Sequence, residues 1–308
     1  MIDSPIKVCL AADRKYLQHL VVTMASVLIH ANASDHIEFL ILSDGSLTVD
    51  HFSKVEKLGN CEIQIVRADQ LVREHMVIAP NPQWPVAVYY RLLLPYLCEH
   101  DARVIYLDCD IIVRASLAPL WCMVMDKSFA GVADTGFDHQ NRLARRGVEC
   151  DGDYFNSGVA VLNLERIRVR GYEGLLRDVE RKLPNPEFPD QDWLNLMFEG
   201  DKQLLLPEWN AMSHLFFSEN KSMAPYTGQE VESARTNPKI YHFTNIKPWT
   251  MTYNEHPYWF EYWEVLKYTP FAWRYPAGVF KKMFLSKNDT VLFRHIRPAV
   301  KRVIGWKR

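Results

Sequence analysis

No stretch of the 308-residue sequence approaches the ~20 consecutive apolar residues needed to cross a bilayer. The opening residues, Met1-Ile2-Asp3-Ser4-Pro5, show no basic region followed by an apolar run, so no signal peptide is expected. The six cysteines (Cys9, Cys61, Cys98, Cys109, Cys122 and Cys150) include no CxxC pair. That scatter argues against a zinc site and against a disulfide framework. Together these absences point to a reducing cytoplasm. One sign of charge is not in excess either: the formal net charge is −1, which excludes a general polyanion binder, and no nucleic-acid partner is expected. There is no internal repeat, and no linker rich enough in Gly or Ser to separate two domains.

What is present suffices for a buried core. Hydrophobic residues make up 48% of the chain and charged residues 24%, ordinary globular figures for one large α/β domain with or without an appendage. The near-neutral total hides an asymmetry. Residues 281–308 carry nine Lys or Arg and one Asp, a basic tail on an acidic body.

Short apolar runs alternate with helical periodicity along the first half. Ile6–Asp13, Ile37–Asp44, Cys61–Ala68 and Ala102–Asp110 read as strands. Leu17 to Ala31, Leu47–Gly59 and Val88–His100 read as helices. That alternation implies a mostly parallel sheet with helices on both faces. Ligands then bind beyond the carboxyl ends of the strands, where Asp13, Asp44, Asp108 and Asp110 are expected to converge. Further on, Tyr154–Leu164 reads as a turn feeding a strand. Leu175–Leu183 and Asp190–Phe198 read as helices, and Lys239–Thr244 as a short strand. Aromatic residues crowd Trp249 to Trp273.

Asp108-Cys109-Asp110 carries the strongest chemical signal. Residues two apart in an extended segment point the same way, so both carboxylates can reach one hard cation. Oxygen ligands suit Mg²⁺ or Mn²⁺, and an added imidazole moves the preference to Mn²⁺. The bland alternative is a pair of solvated turn carboxylates. His242 is the candidate imidazole, against the reading of a packed core histidine. Lys247 can serve a diphosphate as a point charge, against the reading of a surface lysine. Asp190-Gln191-Asp192 opens a predicted helix: Asp190 reads either as its N-cap or, with Gln191, as a holder of sugar hydroxyls. Asn156-Ser157-Gly158 resembles a tight turn in which Gly158 permits unusual backbone geometry.

In their order, these pieces resemble glycosyltransferase family 8, particularly its bacterial lipopolysaccharide galactosyl- and glucosyltransferases. The matching stretches are Ala11-Ala12-Asp13, Tyr89-Tyr90-Arg91-Leu92, Val104 to Asp110, Phe155 to Val159, Asp190-Gln191-Asp192 with Leu194-Asn195, and His242-Phe243 through Lys247-Pro248-Trp249. The resemblance implies a GT-A fold, a UDP-hexose donor, Mn²⁺ and retention of anomeric configuration. Carried over by motif, Asp13 holds the uracil and Tyr16 stacks on it. Asp108, Asp110 and His242 bind the metal, with Asp108 also near the sugar. Arg91, Asn156 and Asp190 contact the transferred sugar and Lys247 the diphosphate. Gln191 lies nearest the reacting face of the anomeric carbon, and Asp134 matches an acceptor-side aspartate. The match departs at Asn245, where the family has a glycine, in a segment one residue shorter. It departs again at Asp13-Arg14-Lys15-Tyr16, which lacks the family's usual Asn.

The expected organisation is a GT-A catalytic domain over 1–250 and an aromatic, then basic, extension over 251–308. The expected activity is metal-dependent retaining transfer of galactose or glucose to a glycolipid or oligosaccharide, in lipopolysaccharide or surface-glycan synthesis. Phe293, Ile296, Val300 and Val303 beside Arg294, Arg297, Lys301 and Arg308 suggest that the tail holds the protein to an anionic membrane surface, peripheral at the inner face of the cytoplasmic membrane. Two alternatives stand beside this. A sugar-nucleotide pyrophosphorylase would carry a Gly-rich basic loop after its first strand, and Asp13 to Tyr16 has no glycine. A non-catalytic, membrane-associated sugar-nucleotide sensor would not need Asp108, Asp110, His242 and Gln191 together.

Overall fold

The computed structural model describes residues 4–76, 81–136, 141–217, 223–245, 247–250 and 256–276. Ten strands are found among them: β1 Ile6–Ala11, β2 Ile37–Ser43, β3 Cys61–Arg67, β4 Arg103–Leu107, β5 Ile111–Val113, β6 Phe129–Ala133, β7 Phe155–Asn163, β8 Lys202–Leu204, β9 Ala211–Met212 and β10 Ile240–His242. Seven form one sheet in the order β3-β2-β1-β4-β7-β6-β8, and three form a second in the order β5-β10-β9. In the large sheet β1, β2, β3 and β4 run parallel, as do β6 and β8; β7 lies antiparallel between β4 and β6.

Composition explains the strand positions. β1, β4 and β7 are buried along most of their length because both faces are covered, and their central residues are mainly apolar. The edge strand β3 instead alternates half-buried Cys61, Ile63 and Ile65 with exposed Glu62 and Gln64, which leaves one face to solvent. The helix Leu17–His30 is buried from Leu17 through Leu28, its polar Gln18, His19, Thr23 and Ser26 included. Each of these polar groups finds a partner: the Thr23 hydroxyl, for example, lies 3.1 and 3.0 Å from the carbonyls of Cys109 and Ile111.

Two predicted helices take a different form. The Leu47–Gly59 stretch folds as short 3₁₀ turns, Val49–Phe52 and Glu56–Leu58, because only Phe52 and Val55 in its centre reach the core. The Val88–His100 stretch is a 3₁₀ helix, Val86–Leu93, followed by one α turn, Leu94–Leu97. Pro95 has no N–H to continue the first segment's ladder.

Beyond β10, the helix Trp259–Leu266 packs on the helix Leu17–His30, burying Trp259, Phe260, Tyr262, Val265 and Leu266 in the common core. Tyr268 and Trp273 are the large apolar side chains this segment leaves exposed among the described residues. No helix among them is long and apolar enough to cross a membrane. The basic tail 281–308 lies outside the described residues.

Burial also sets an acid sensitivity. It pulls His19 and His256 down to about 3 each, and the Tyr258 N–H donates to His256 Nδ1 at 3.2 Å, which needs that nitrogen unprotonated. A histidine whose folded pKa lies below its unfolded value of ~6.5 gives its full contribution above that value and loses it as pH falls toward the folded pKa. Between pH 6.5 and 4, His256 alone accounts for roughly 3 kcal/mol of lost stability. Urea unfolding midpoints are expected to fall over this range, and less steeply in His256→Phe. Parallel profiles for the two proteins would contradict the assignment.

Candidate functional site

The site forms where the two sheets meet. Asp108 and Asp110 lie between β4 and β5, and the backbone holds both ends of the pair. Asp108 N–H donates to the Gly158 carbonyl at 2.8 Å, and Phe243 N–H donates to the Asp110 carbonyl at 2.9 Å. The antiparallel register of β10 on β5 sets His242 opposite Ile111. Its Nε2 then lies 3.0 Å from Asp110 Oδ1 and 3.7 Å from Asp108 Oδ2. One ligand atom from each of Asp108, Asp110 and His242 falls within 4.8 Å of the others, the spacing needed to hold one metal ion.

Gly158 makes room for this cluster. It sits inside β7, not in the turn expected from Asn156-Ser157-Gly158, and its role is steric rather than conformational. A Cβ there would meet His242 Cε1 at 2.2 Å and Asp108 Oδ2 at 2.6 Å.

The histidine tautomer follows from a chain of hydrogen bonds that all run one way. Ser157 N–H donates to Gln191 Oε1 at 3.1 Å, and Gly158 N–H to Asn156 Oδ1 at 3.0 Å. These backbone donors fix which end of each amide is oxygen. Gln191 Nε2 therefore donates to Asp134 Oδ2 at 3.1 Å, and Asn156 Nδ2 to Gln191 Oε1 at 3.0 Å. Asn210 Nδ2 donates to Asn156 Oδ1 at 2.8 Å, which turns Asn210 Oδ1 toward His242 Nδ1, 3.1 Å away. Nδ1 must carry the proton. That leaves Nε2, which points between the two carboxylates, as the nitrogen a metal would take.

Arg91 joins the metal side to the other half of the site. Its guanidinium is buried over the Tyr106 ring at 4.2 Å. It reaches Asp108 at 2.7 Å, Asp190 at 3.0 Å and the Ser157 carbonyl at 3.0 Å. Burial works against its charge, but Asp108 and Asp190 outweigh it and raise the pKa further. Asp190 is pushed up by burial, with Arg91 opposing. Burial works against the charge of the partly buried Asp110, but Lys247 outweighs it and holds the carboxyl below the usual carboxylate range.

Asp190 does not take up the blander of its two sequence readings, the helix N-cap. In the helix Pro189–Met197 the cap position is Phe188, with proline leading. The Glu187 and Phe188 N–H groups donate instead to Asp192 Oδ2 at 2.9 and 3.0 Å. Asp190 is thereby left to accept from the Ser157 hydroxyl at 2.8 Å.

Nine of the sequence candidates thus fall in one connected cluster: Arg91, Asp108, Asp110, Asp134, Asn156, Asp190, Gln191, His242 and Lys247, whose Nζ bonds Asp110 and the Phe243 carbonyl. Asp13 and Tyr16 stand at the rim. Asp13 Oδ1 accepts from Lys15 N–H and Tyr16 N–H at 2.9 and 3.1 Å. The Tyr16 hydroxyl is pushed up by burial and by the charges of Asp110, Asp108 and Asp13, while the residue as a whole stays 41% exposed. Sequence reasoning missed Asn210, which lies in the 3₁₀ turn Pro207–Asn210 far from any motif. It also passed over Ser157 as a turn residue.

Comparison with known proteins agrees with this geometry. Residues 7–252 match Glycosyl transferase family 8. General stress protein A of Bacillus subtilis is 28% identical over 278 residues, 87% of this chain and 95% of that one. A lipopolysaccharide 1,2-glucosyltransferase of Escherichia coli is 28% identical over 248 residues, 77% and 71% of the two chains. The solved structure of the galactosyltransferase LgtC with donor and acceptor sugar analogues superposes with a TM-score of 0.69 at 24% identity, covering 87% of this chain and 99% of that one. The chain therefore belongs to glycosyltransferase family 8 and has the GT-A fold, with an Asp108–Asp110–His242 group able to hold a divalent metal.

Proposed function

We propose that the protein transfers a hexose, galactose or glucose, from a UDP-sugar to a glycolipid or oligosaccharide acceptor with retention of configuration, using Mn²⁺ (or Mg²⁺). The observation that carries this reading is the continuity of the cluster: a metal-type trio at one end, Gln191 and Asp134 at the other, and Arg91 between them. Family membership disfavours a pyrophosphorylase, and the intact trio disfavours a non-catalytic sensor. Two carboxylates with one imidazole suit Mn²⁺.

A bound cation would neutralise the diphosphate and stabilise charge on the leaving oxygen. Lys247 adds a second positive charge on the same side, while Asp13 and Tyr16 offer an acceptor and a ring face to uracil. Arg91 and Asp190 place polar groups beside the sugar. Gln191 is poorly suited to act as a nucleophile. Its amide is neutral, and its carbonyl oxygen already accepts from Asn156 and Ser157 on the protein side. Its position favours front-face reaction: the acceptor oxygen bonds to the anomeric carbon as the bond to phosphate breaks. The acceptor proton passes to the departing phosphate oxygen. The protein then supplies positioning and a preorganised field.

The domain reading is a catalytic unit over 1–250 with the extension 251–308. Its basic tail would keep the enzyme peripheral on the cytoplasmic membrane, near a lipid-borne acceptor.

Asp108→Asn, Asp110→Asn and His242→Gln are each expected to lower donor turnover by about a hundredfold or more with unchanged circular dichroism, and EDTA to do the same reversibly. Activity that survives EDTA would sink the metal reading. Asn210→Leu and Gly158→Ala spare all three ligands, yet should weaken Mn²⁺ binding about ten- to a hundredfold by calorimetry. The product's anomeric proton, read by NMR, should show the donor's α configuration; a β linkage would refute retention. Full-length protein should co-sediment with anionic vesicles more than a form ending at Gly278, and lose that binding in salt. Equal binding of the two forms would remove the tail from the account.

A further inference from the structure

Lys247 sits on a turn rather than on a strand or helix. The Thr250 N–H and hydroxyl donate to the Lys247 carbonyl at 3.2 and 2.8 Å, closing the turn. Its anchor in the body of the protein is Trp249. The indole stacks on the His19 imidazole with centroids 3.6 Å apart and planes 21° from parallel, and lies 5.0 Å from the Tyr262 ring. Tyr16 meets both rings edge-on, at 5.2 Å from His19 and 6.4 Å from Trp249.

A second chain of hydrogen bonds with fixed direction holds His19 in place. Arg274 Nη1 donates to Gln18 Oε1 at 2.7 Å, which turns Gln18 Nε2 to donate to the Tyr262 hydroxyl oxygen at 2.7 Å. The Tyr262 O–H is then free to donate to His19 Nδ1, 2.8 Å away. This fixes both the ring's rotation and its tautomer. A leucine at position 19 would fill the same space between apolar neighbours, but it would offer no flat face to Trp249 and no acceptor to Tyr262.

We infer that His19, clamped by the Tyr262 hydroxyl and stacked on Trp249, is a positioning residue for the donor diphosphate. Through it the helix Trp259–Leu266 is a working part of the donor site rather than an appendage. The inference rests on the reading of Lys247 as a diphosphate contact. The stack holds the turn, the turn places Lys247 beside Asp110, and the same imidazole edge backs Tyr16. One side chain thus sets the distance between the uracil and diphosphate ends of the donor site. Burial keeps His19 neutral, so the stack is not set against the positive charges of Lys247 and Arg274.

The test uses the full chain with MnCl₂ present, titrated separately with UDP and with uridine monophosphate. Tyr262→Phe keeps the ring and removes the clamp. It is expected to raise the UDP dissociation constant and the donor KM about five- to tenfold, with kcat and uridine monophosphate affinity within about twofold. His19→Leu should exceed this, and because removing a buried hydroxyl lowers stability in any case, the selective loss of UDP over uridine monophosphate carries the test. Unchanged UDP affinity in both variants overturns the inference. Equal loss of both nucleotides also overturns it, because that pattern marks general packing rather than placement of the diphosphate. Wild-type protein that binds no UDP would instead sink the donor reading itself.

Discussion

The site depends on one geometric constraint: the segment from Asp108 to Asp110 is tied by its backbone to two different sheets. At Asp108 the tie is to Gly158 in the large sheet, and at Asp110 to Phe243 beyond the small one. Each contact is a backbone hydrogen bond of modest net strength. Together they leave the intervening residues little freedom, and the two carboxylates are presented at a spacing set by the fold. His242 arrives in register because β10 pairs with β5, so the third ligand is placed by the same pairing.

Behind these ligands the polar groups are ordered by direction as well as by distance. A run of amides from Asp134 through Gln191, Asn156 and Asn210 to His242 has one polarity, pinned by the N–H groups of Ser157 and Gly158. Reversing any one amide would set donor against donor on one side and acceptor against acceptor on the other, a cost that burial makes severe. The arrangement suits a reaction in which the protein's task is a fixed electrostatic field: the dipoles are already oriented before substrate arrives.

Much of this was legible in the chain. The strands that lead to Asp13 and Asp108 were readable because parallel strands buried on both faces are mainly apolar runs, and each is followed by polar residues of the candidate site. The elements misread were those whose form is decided by tertiary contact. The stretch around Phe52 has too few core contacts to sustain an α-helix, and Pro95 divides the stretch after Tyr89. Asp190 could be read as a cap or as a polar contact for a ligand because the same residue types serve both; only the position of Asp192 shows which carboxylate ties the turn. Gly158 was readable as a glycine with a purpose, but the purpose is an absent Cβ beside a ring that arrives from another sheet. Asn210 left no trace, since an orienting amide needs no motif, only proximity.

The late arrival of β10 bears on how the protein comes into being. β1, β2, β3 and β4 can pair as soon as they are synthesised, whereas Lys247 and Asp110, in direct contact, are 137 residues apart in sequence. Closing so long a loop is slow relative to local pairing, and its entropy must be offset by contacts that exist only once the last strand docks. A nascent or truncated chain can therefore hold most of the large sheet while lacking His242. The Asp108–Asp110–His242 group is thus completed only when the last strand docks.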